Sequence, residues 1–417
     1  MERGYLELQP QEDRSAEVGK AGLLVLGLQH TFTMFGATVL VPYLTGIPVN
    51  VALFTAGLGT WLFHWITKWK VPVFLGSSFA YIAPIIAVTS YYQSNGDPKT
   101  ALAYATGGLV LAGFVKFGIG ILIKFIGVKR FERLFPPAVA GTMIVLIGLI
   151  LSPVAIDMAS QNWWLAIVAL ATAIIVRLYT KGFNRLVPVI WGIIVGYIVA
   201  AIWGKIDFSE VQSAAWIGWP DFYLPKFSGY AASIIVPVAI APAVEHFGDI
   251  FAISAVVGKP FFEDPGMHRT LMGDGLATSL AGLLGGPANT TYGENTGVLA
   301  LTKVFNPWVM RIAATFAIIL AMIPKVGAVV RSIPTPVMGG IEILLFGMIA
   351  AVGMRTLIQN QVKVDGKNLI IISVMLVAGL GGAKFEAGNF SLQGLGLAAI
   401  IGIILNAIFM ITRAPEE

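Results

Sequence analysis

Long apolar runs separated by short polar stretches dominate this chain. Fourteen are legible, at about 21–44, 49–67, 71–92, 101–127, 134–155, 162–180, 184–203, 229–256, 270–286, 288–303, 306–330, 334–354, 368–382 and 391–412. A helix crosses the ~30 Å hydrocarbon layer with ~20 residues, whereas a barrel strand needs ~10 residues of alternating polarity. Nothing in these runs alternates over such lengths. The pattern therefore predicts an all-α polytopic membrane protein with fourteen transmembrane segments.

Two runs break the pattern. Residues 71–92 open Val-Pro-Val-Phe-Leu-Gly-Ser-Ser-Phe, and 288–303 open Ala-Asn-Thr-Thr-Tyr-Gly-Glu-Asn. Each predicts a short extended piece followed by a half-helix. Such backbone leaves N–H and C=O groups unpaired, and it is tolerated at membrane depth only when buried in protein or lining a cavity. These are the third and tenth spans, which is the third position in each set of seven. Seven is odd, so the two sets must have opposite topology. The reading is two inverted seven-span repeats, 21–203 and 229–412, with the binding site at the interrupted spans. Residues 1–20 form a polar N-terminal tail, and 204–228 an extracellular linker.

Composition agrees. Hydrophobic residues make up 57% of the 417 and charged residues 12%, against roughly 25% charged in soluble domains. This excludes a soluble enzyme, and disorder too, since disordered chains are polar and highly charged. The balance of 27 Lys+Arg against 22 Asp+Glu gives a net +5, too weak and scattered for nucleic-acid binding. There is no Cys, hence no disulfide or thiolate metal site. The polar first residues lack the apolar core and cleavage site of a signal peptide, so the first run is expected to be a permanent span. With the N-terminus in the cytoplasm, twenty Lys and Arg fall inside and six outside, with Lys116 within a span. By the positive-inside rule both termini are expected in the cytoplasm. Trp69, Trp163, Trp164 and Trp216 sit near span ends, as an interfacial belt does.

Acids deep within spans are costly and mark function. The eighth span carries Glu245, His246 and Asp249. Glu245 and Asp249 are one helical turn apart on one face, and two carboxylates so close in low dielectric cannot both ionise easily. Such a pair is suited to taking up and releasing a proton. Glu294 opens the tenth-span half-helix, where the helix dipole and free N–H groups favour a negative group. Tyr292 and Gly293 before it suggest close approach of the backbone to a ligand. Asp274, in Met-Gly-Asp-Gly, and Glu342, in Gly-Gly-Ile-Glu, lie close to Gly near span ends and are expected to be structural. His30 is expected to be scaffold. His64 and His268 belong to no constellation, and Lys116 could either snorkel or pair with an acid. No phosphate-binding loop, metal-spaced His set or nucleophile elbow is present, so neither an enzyme nor a bound cofactor is expected.

The residues resemble the nucleobase–ascorbate transporter family along almost the whole chain, most closely its bacterial uracil permeases. The signature (Gln, Glu or Pro)-Asn-x-Gly-x4-Thr-(Arg, Lys or Gly) is met by Glu294, Asn295, Gly297, Thr302 and Lys303. Gln29-His30, Gly76-Ser77-Ser78-Phe79, Leu134-Phe135-Pro136-Pro137, Glu245-His246 and the Pro334–Gly340 segment also match. The resemblance implies a core domain of spans 1–4 and 8–11 and a gate domain of spans 5–7 and 12–14. It implies that Glu245 and Glu294 hydrogen-bond the base, that Phe79 packs on the ring beside Ser78 and Tyr292, and that backbone at Phe79 and Gly293 completes the polar contacts. Glu245, Asp249 and His246 would serve proton coupling, with His30 and Asn295 as scaffold. Uptake would be uracil:H+ symport driven by the proton gradient, in a homodimer embedded in the lipid of the bacterial cytoplasmic membrane. Glu at 294, rather than the Gln that looks typical of the xanthine and urate branch, favours uracil. The sequence departs from the pattern at Asp249, where His is usual, and at Phe346, where Tyr is expected. The rival readings are the same machine for xanthine, urate or another base, and an anion exchanger or channel. The latter two would be expected to show a basic residue at the half-helix start.

Overall fold

The computed structural model describes residues 11–93, 97–388 and 390–412. Arg3, Arg413 and the first ten residues of the expected tail lie outside them. The first half contains α1 (Lys20–Thr45), α2 (Val49–Ile66), β1 (Leu75–Ser77), α3 (Ile82–Gln93), α4 (Pro98–Ile126), α5 (Pro137–Ile150), α6 (Trp163–Tyr179) and α7 (Pro188–Ile202). The second contains α8 (Ile240–Val257), α9 (Met267–Leu283), β2 (Asn289–Thr291), α10 (Gly293–Thr302), α11 (Trp308–Ala321), α12 (Thr335–Gln359), α13 (Gly366–Leu380), the pair β3 (Lys384–Ala387) and β4 (Phe390–Gln393), and α14 (Gly394–Ile411). Among the described residues, seven helical stretches are long and apolar enough to cross a membrane unaided, and α6, α7 and α13 are shorter apolar helices.

Some apolar runs are interrupted rather than continuous, and a proline lies at each interruption, where it cannot donate the helical N–H. The run 306–330, read from sequence as one span, turns by 81° between α11 and a short helix Pro324–Arg331. The Ala321 and Ile323 carbonyls freed at this bend accept from the Asn50 side-chain amide at 2.7 and 3.1 Å. The run 229–256 contains a one-turn 3-10 segment, Val236–Ala239, between Gly229–Ile235 and α8. After α5 the chain continues as a separate helix, Ser152–Ser160, opening on Pro153. The β3–β4 hairpin, with Lys384 opposite Gln393, β3 exposed and Ser391 and Leu392 of β4 buried, was not anticipated by a purely helical reading.

The helix packing repeats itself when the halves are exchanged. α4 packs on α9 as α11 packs on α2, and α1 on α11 as the α8 region does on α4. α6 packs on α7 as α13 does on α14, and α12 on α6 as α5 does on α13. In lipid, such crossings are held by close van der Waals packing, which small residues permit. A Cβ at Gly57, Gly113 or Gly148 would strike backbone of α11, α9 or α12 respectively. The centre of the repeat is the β1–β2 pair, antiparallel, with Leu75 opposite Thr291, Gly76 opposite Thr290 and Ser77 opposite Asn289. All six strand residues are buried. Their backbone groups satisfy each other, extended by Ser78 N–H to Ala288 O (2.8 Å) and Tyr292 N–H to Phe74 O (3.0 Å). This mutual pairing is what allows non-helical backbone at such depth.

Candidate functional site

From the strand crossing two half-helices diverge. A single turn, Phe79–Tyr81, leads into α3, and α10 begins directly at Gly293 with Tyr292 as its N-cap. Glu294 therefore lies in the first turn of α10, at the end carrying free N–H groups and positive dipole. Glu294 and Gly293 are exposed, while their neighbours Tyr292 and Asn295 are buried.

α8 runs beside α10 and presents its acids to the same place. The Thr291 hydroxyl of β2 donates to Asp249 Oδ2 at 2.5 Å. Glu245 lies one turn away on the same face, and Glu245, Asp249 and Glu294 act on one another electrostatically. Three carboxyl groups thus converge where two half-helices start. Along α8 the open positions Glu245, Gly248, Asp249, Ala252 and Ala255 share one face, and along α10 they are Glu294, Gly297 and Ala300. Both strips lead from the crossing toward the end of the molecule that holds the N-terminal segment. There Arg14 N–H donates to Lys303 O at 2.9 Å, Lys303 Nζ donates to Glu12 at 2.6 Å, and the Lys303 ammonium holds the Glu12 carboxyl below its ordinary range. The opposite direction is closed. Val41, Ile82, Leu151, Ala155 and Phe346 form a buried apolar cluster against which Phe79 packs. The Phe79 ring meets Phe346 edge-on at 6.4 Å.

Other residues named from sequence are placed as follows. Asn295 donates to His30 Nδ1 and to the His30 carbonyl, both at 3.1 Å, which fastens α10 to α1. Tyr292 turns its ring inward. Its hydroxyl donates to Ser77 O at 3.0 Å and accepts from Thr38 at 3.3 Å, so only its backbone borders the cleft. Ser78 is buried with its hydroxyl unpartnered. His246 faces away from Glu245, fully buried against the Phe63 ring, with neither ring nitrogen hydrogen-bonded among the described residues. His64 is structural, its Nε2 bonded to Val73 O at 2.9 Å just before β1.

Two features that the sequence left open or unmarked are settled by the fold. Lys116, in the middle of α4, is completely buried; its ammonium donates to Asp274 Oδ2 at 2.8 Å and to Asn289 O at 3.0 Å. Asp274 is thus structural as expected, and Lys116 pairs rather than snorkels. Their signal was present, since a lone Lys and a lone Asp in two apolar runs invite pairing, but which acid Lys116 would meet required the α4–α9 contact. The second is Thr291, one of several β-branched residues of an extended piece until the fold sets it against Asp249.

Among solved structures, the transmembrane domain of the cyanobacterial bicarbonate transporter BicA superposes with a TM-score of 0.62 at 15% identity, covering 95% of this chain and 98% of that one. The murine anion transporter Slc26a9 in its inward-facing state superposes at 0.68 with 10% identity, covering 96% and 70%. At such identities the likeness is one of fold alone, and it places this chain in the same helical architecture as those two domains. Residues 21–388 match the family Xan_ur_permease, described as Permease family. A "Probable uracil permease" of Pasteurella multocida is 46% identical over 393 residues, 92% of each chain. The "Uracil permease" of Bacillus caldolyticus is 45% identical over 403 residues, 92% of this chain and 91% of that one, and that of Bacillus subtilis 43% over 413 residues, 94% and 92%. The chain belongs to this permease family; it is a multi-pass membrane transporter and not an enzyme.

Proposed function

We propose that this protein imports uracil with protons across the bacterial cytoplasmic membrane by alternating access. The observation that carries the reading is the convergence of Glu245 and Glu294 on one cleft at the start of a half-helix. Uracil offers two N–H donors and two carbonyl acceptors, and carboxylates beside backbone N–H groups are its complement. The names of the relatives support the same substrate. In this reading Phe79 packs on the ring, α1–α4 with α8–α11 form the core, and α5–α7 with α12–α14 form a gate that moves against it and carries the homodimer contact. Both termini face the cytoplasm, so the cleft opens inward. The fold neighbours raise an anion-carrying alternative, which the carboxylates at the half-helix start oppose.

One proton moving down ~100 mV supplies ~2.3 kcal/mol, enough for roughly 50-fold accumulation. The direct test is uptake of labelled uracil in competition with a panel of bases, with and without a protonophore. Uracil should compete best and the protonophore should abolish accumulation; xanthine or urate competing better would replace the substrate. Glu245→Gln mimics a permanently protonated site. Accumulation is expected to vanish while exchange of internal for external uracil partly survives. Protonophore-sensitive accumulation by this variant would assign coupling elsewhere.

A further inference from the structure

Glu342 has no part in this cycle, and its setting is unlike that of any other acid among the described residues. It lies two turns into α12, is 0% exposed, and neither carboxylate oxygen has a hydrogen-bond partner among the described residues. Asp274, equally buried, has Lys116; Glu342 has no such cation. The titratable and charged groups on the elements around α12 are few. Asp157, on Ser152–Ser160, is exposed. Tyr197 of α7 shares a hydrogen bond with Ser332 at 2.7 Å, and Arg177 of α6 donates to Arg185 O at 3.1 Å, near exposed Tyr179. Arg331, just before α12, pairs with Glu210 at 2.5 Å. Tyr43 of α1 is within electrostatic reach of Glu342, but its hydroxyl donates to Ile333 O at 3.1 Å.

An ionised carboxylate so placed would have neither counter-charge nor donor, a state that proteins avoid by carrying the proton. Tyr43 also lines a vestibule of about 440 Å3 on the closed side of the molecule, together with Pro42, Gly46, Pro48, Asp221 and Arg331. Outer water thus reaches Tyr43 on α1, which is within electrostatic reach of Glu342 on α12. We propose that Glu342 is a proton-dependent latch of the outer gate, held as the neutral acid while α1 and α12 are packed together and giving its proton to the outer water when they part. The inference rests on the alternating-access reading. The proton leaves to and returns from the same side, so the latch adds nothing to transport stoichiometry; it sets how outer pH divides closed from open. The closed state binds the proton more tightly, so acid favours closure. As outer pH rises through the titration range, opening grows about tenfold per unit.

The absence of native Cys makes the test clean. Val41→Cys, at a position 0% exposed in this closed state, reports opening through its reaction with an impermeant thiol reagent in intact cells. Gln212→Cys, exposed in the linker, serves as reference for the reagent's own pH dependence. From about pH 5.5 to 8.5 the ratio of the two labelling rates should rise at least about tenfold with Glu342 present. It should be flat in Glu342→Gln and regain its rise in Glu342→Asp. A rise that persists in Glu342→Gln, or no rise with Glu342 in place, overturns the latch. Uracil binding by each purified variant shows that it is folded. It also separates the two readings, since a chain that binds no uracil refutes the substrate while the labelling ratio still decides the latch.

Discussion

Glu294→Gln should abolish high-affinity uracil binding while leaving the protein folded. Glu294 sits in the first turn of α10 and opens into the cleft, where the helix dipole favours an ionised carboxylate. A carboxylate only accepts hydrogen bonds, so in the proposed site it would hold an N–H of the base and reject an acceptor in that place. The Gln side chain has the same volume but puts an NH2 donor where one acceptor oxygen stood. Losing a charge-assisted bond to a buried ligand and opposing two donors should cost about 2–4 kcal/mol, roughly 30- to 800-fold in affinity. Calorimetry on purified protein measures this directly. Binding within about threefold of wild type would remove Glu294 from the site and take away the argument for uracil.

Lys116→Met is expected to cost more in stability than any single change at the cleft. The Lys116 ammonium neutralises Asp274 and also holds Asn289 O, the first carbonyl of β2. Asn289 is further tied by Thr278 at 2.9 Å and donates to Thr55 O at 3.1 Å, so the strand that aims Thr291, Gly293 and Glu294 is anchored at its beginning. Removing the cation leaves a buried carboxylate without compensation, which typically costs about 3–5 kcal/mol. The single variant should melt far below wild type or fail to be recovered as a monodisperse protein. Lys116→Met combined with Asp274→Asn removes both charges and should recover most of the thermal stability, though not full uracil affinity, because β2 keeps one anchor fewer. A single variant as stable as wild type would show that the pair is dispensable.

Much of this architecture is legible before folding. The extended pieces predicted at 71–92 and 288–303 appear as β1 and β2, because β-branched, Gly and hydroxyl residues there interrupt an otherwise helical apolar pattern. Glu245, Asp249 and Glu294 were recognisable because a carboxyl group inside an apolar run has few structural reasons to be there. The bend after α11 was not legible as a bend. Pro324 was visible, but the Asn50 amide that satisfies the broken turn comes from a helix 271 residues away in sequence. His246 shows the opposite limit. It is adjacent to Glu245 and was grouped with it, yet neighbouring residues on a helix point about 100° apart, and the tertiary contact with Phe63 takes its ring away from the cleft.

The amino-acid sequence by itself determined that the chain is a helical membrane protein built as an inverted repeat, with interruptions in the third and tenth spans and unexpected acids in the eighth and tenth. Those properties follow from hydrophobicity and periodicity, which act locally along the chain. Only the tertiary structure decided which acid is free and which is paired. Asp274, between two Gly, and Glu342, two residues after a Gly pair, are both acids in apolar runs, and neither local sequence names a partner. Helix crossing brings Lys116 to one and leaves the other facing Tyr43 without a cation. The charge state of a buried group is set by what surrounds it in space, and for Lys116, Asp274 and Asp249 those partners come from other elements of the fold.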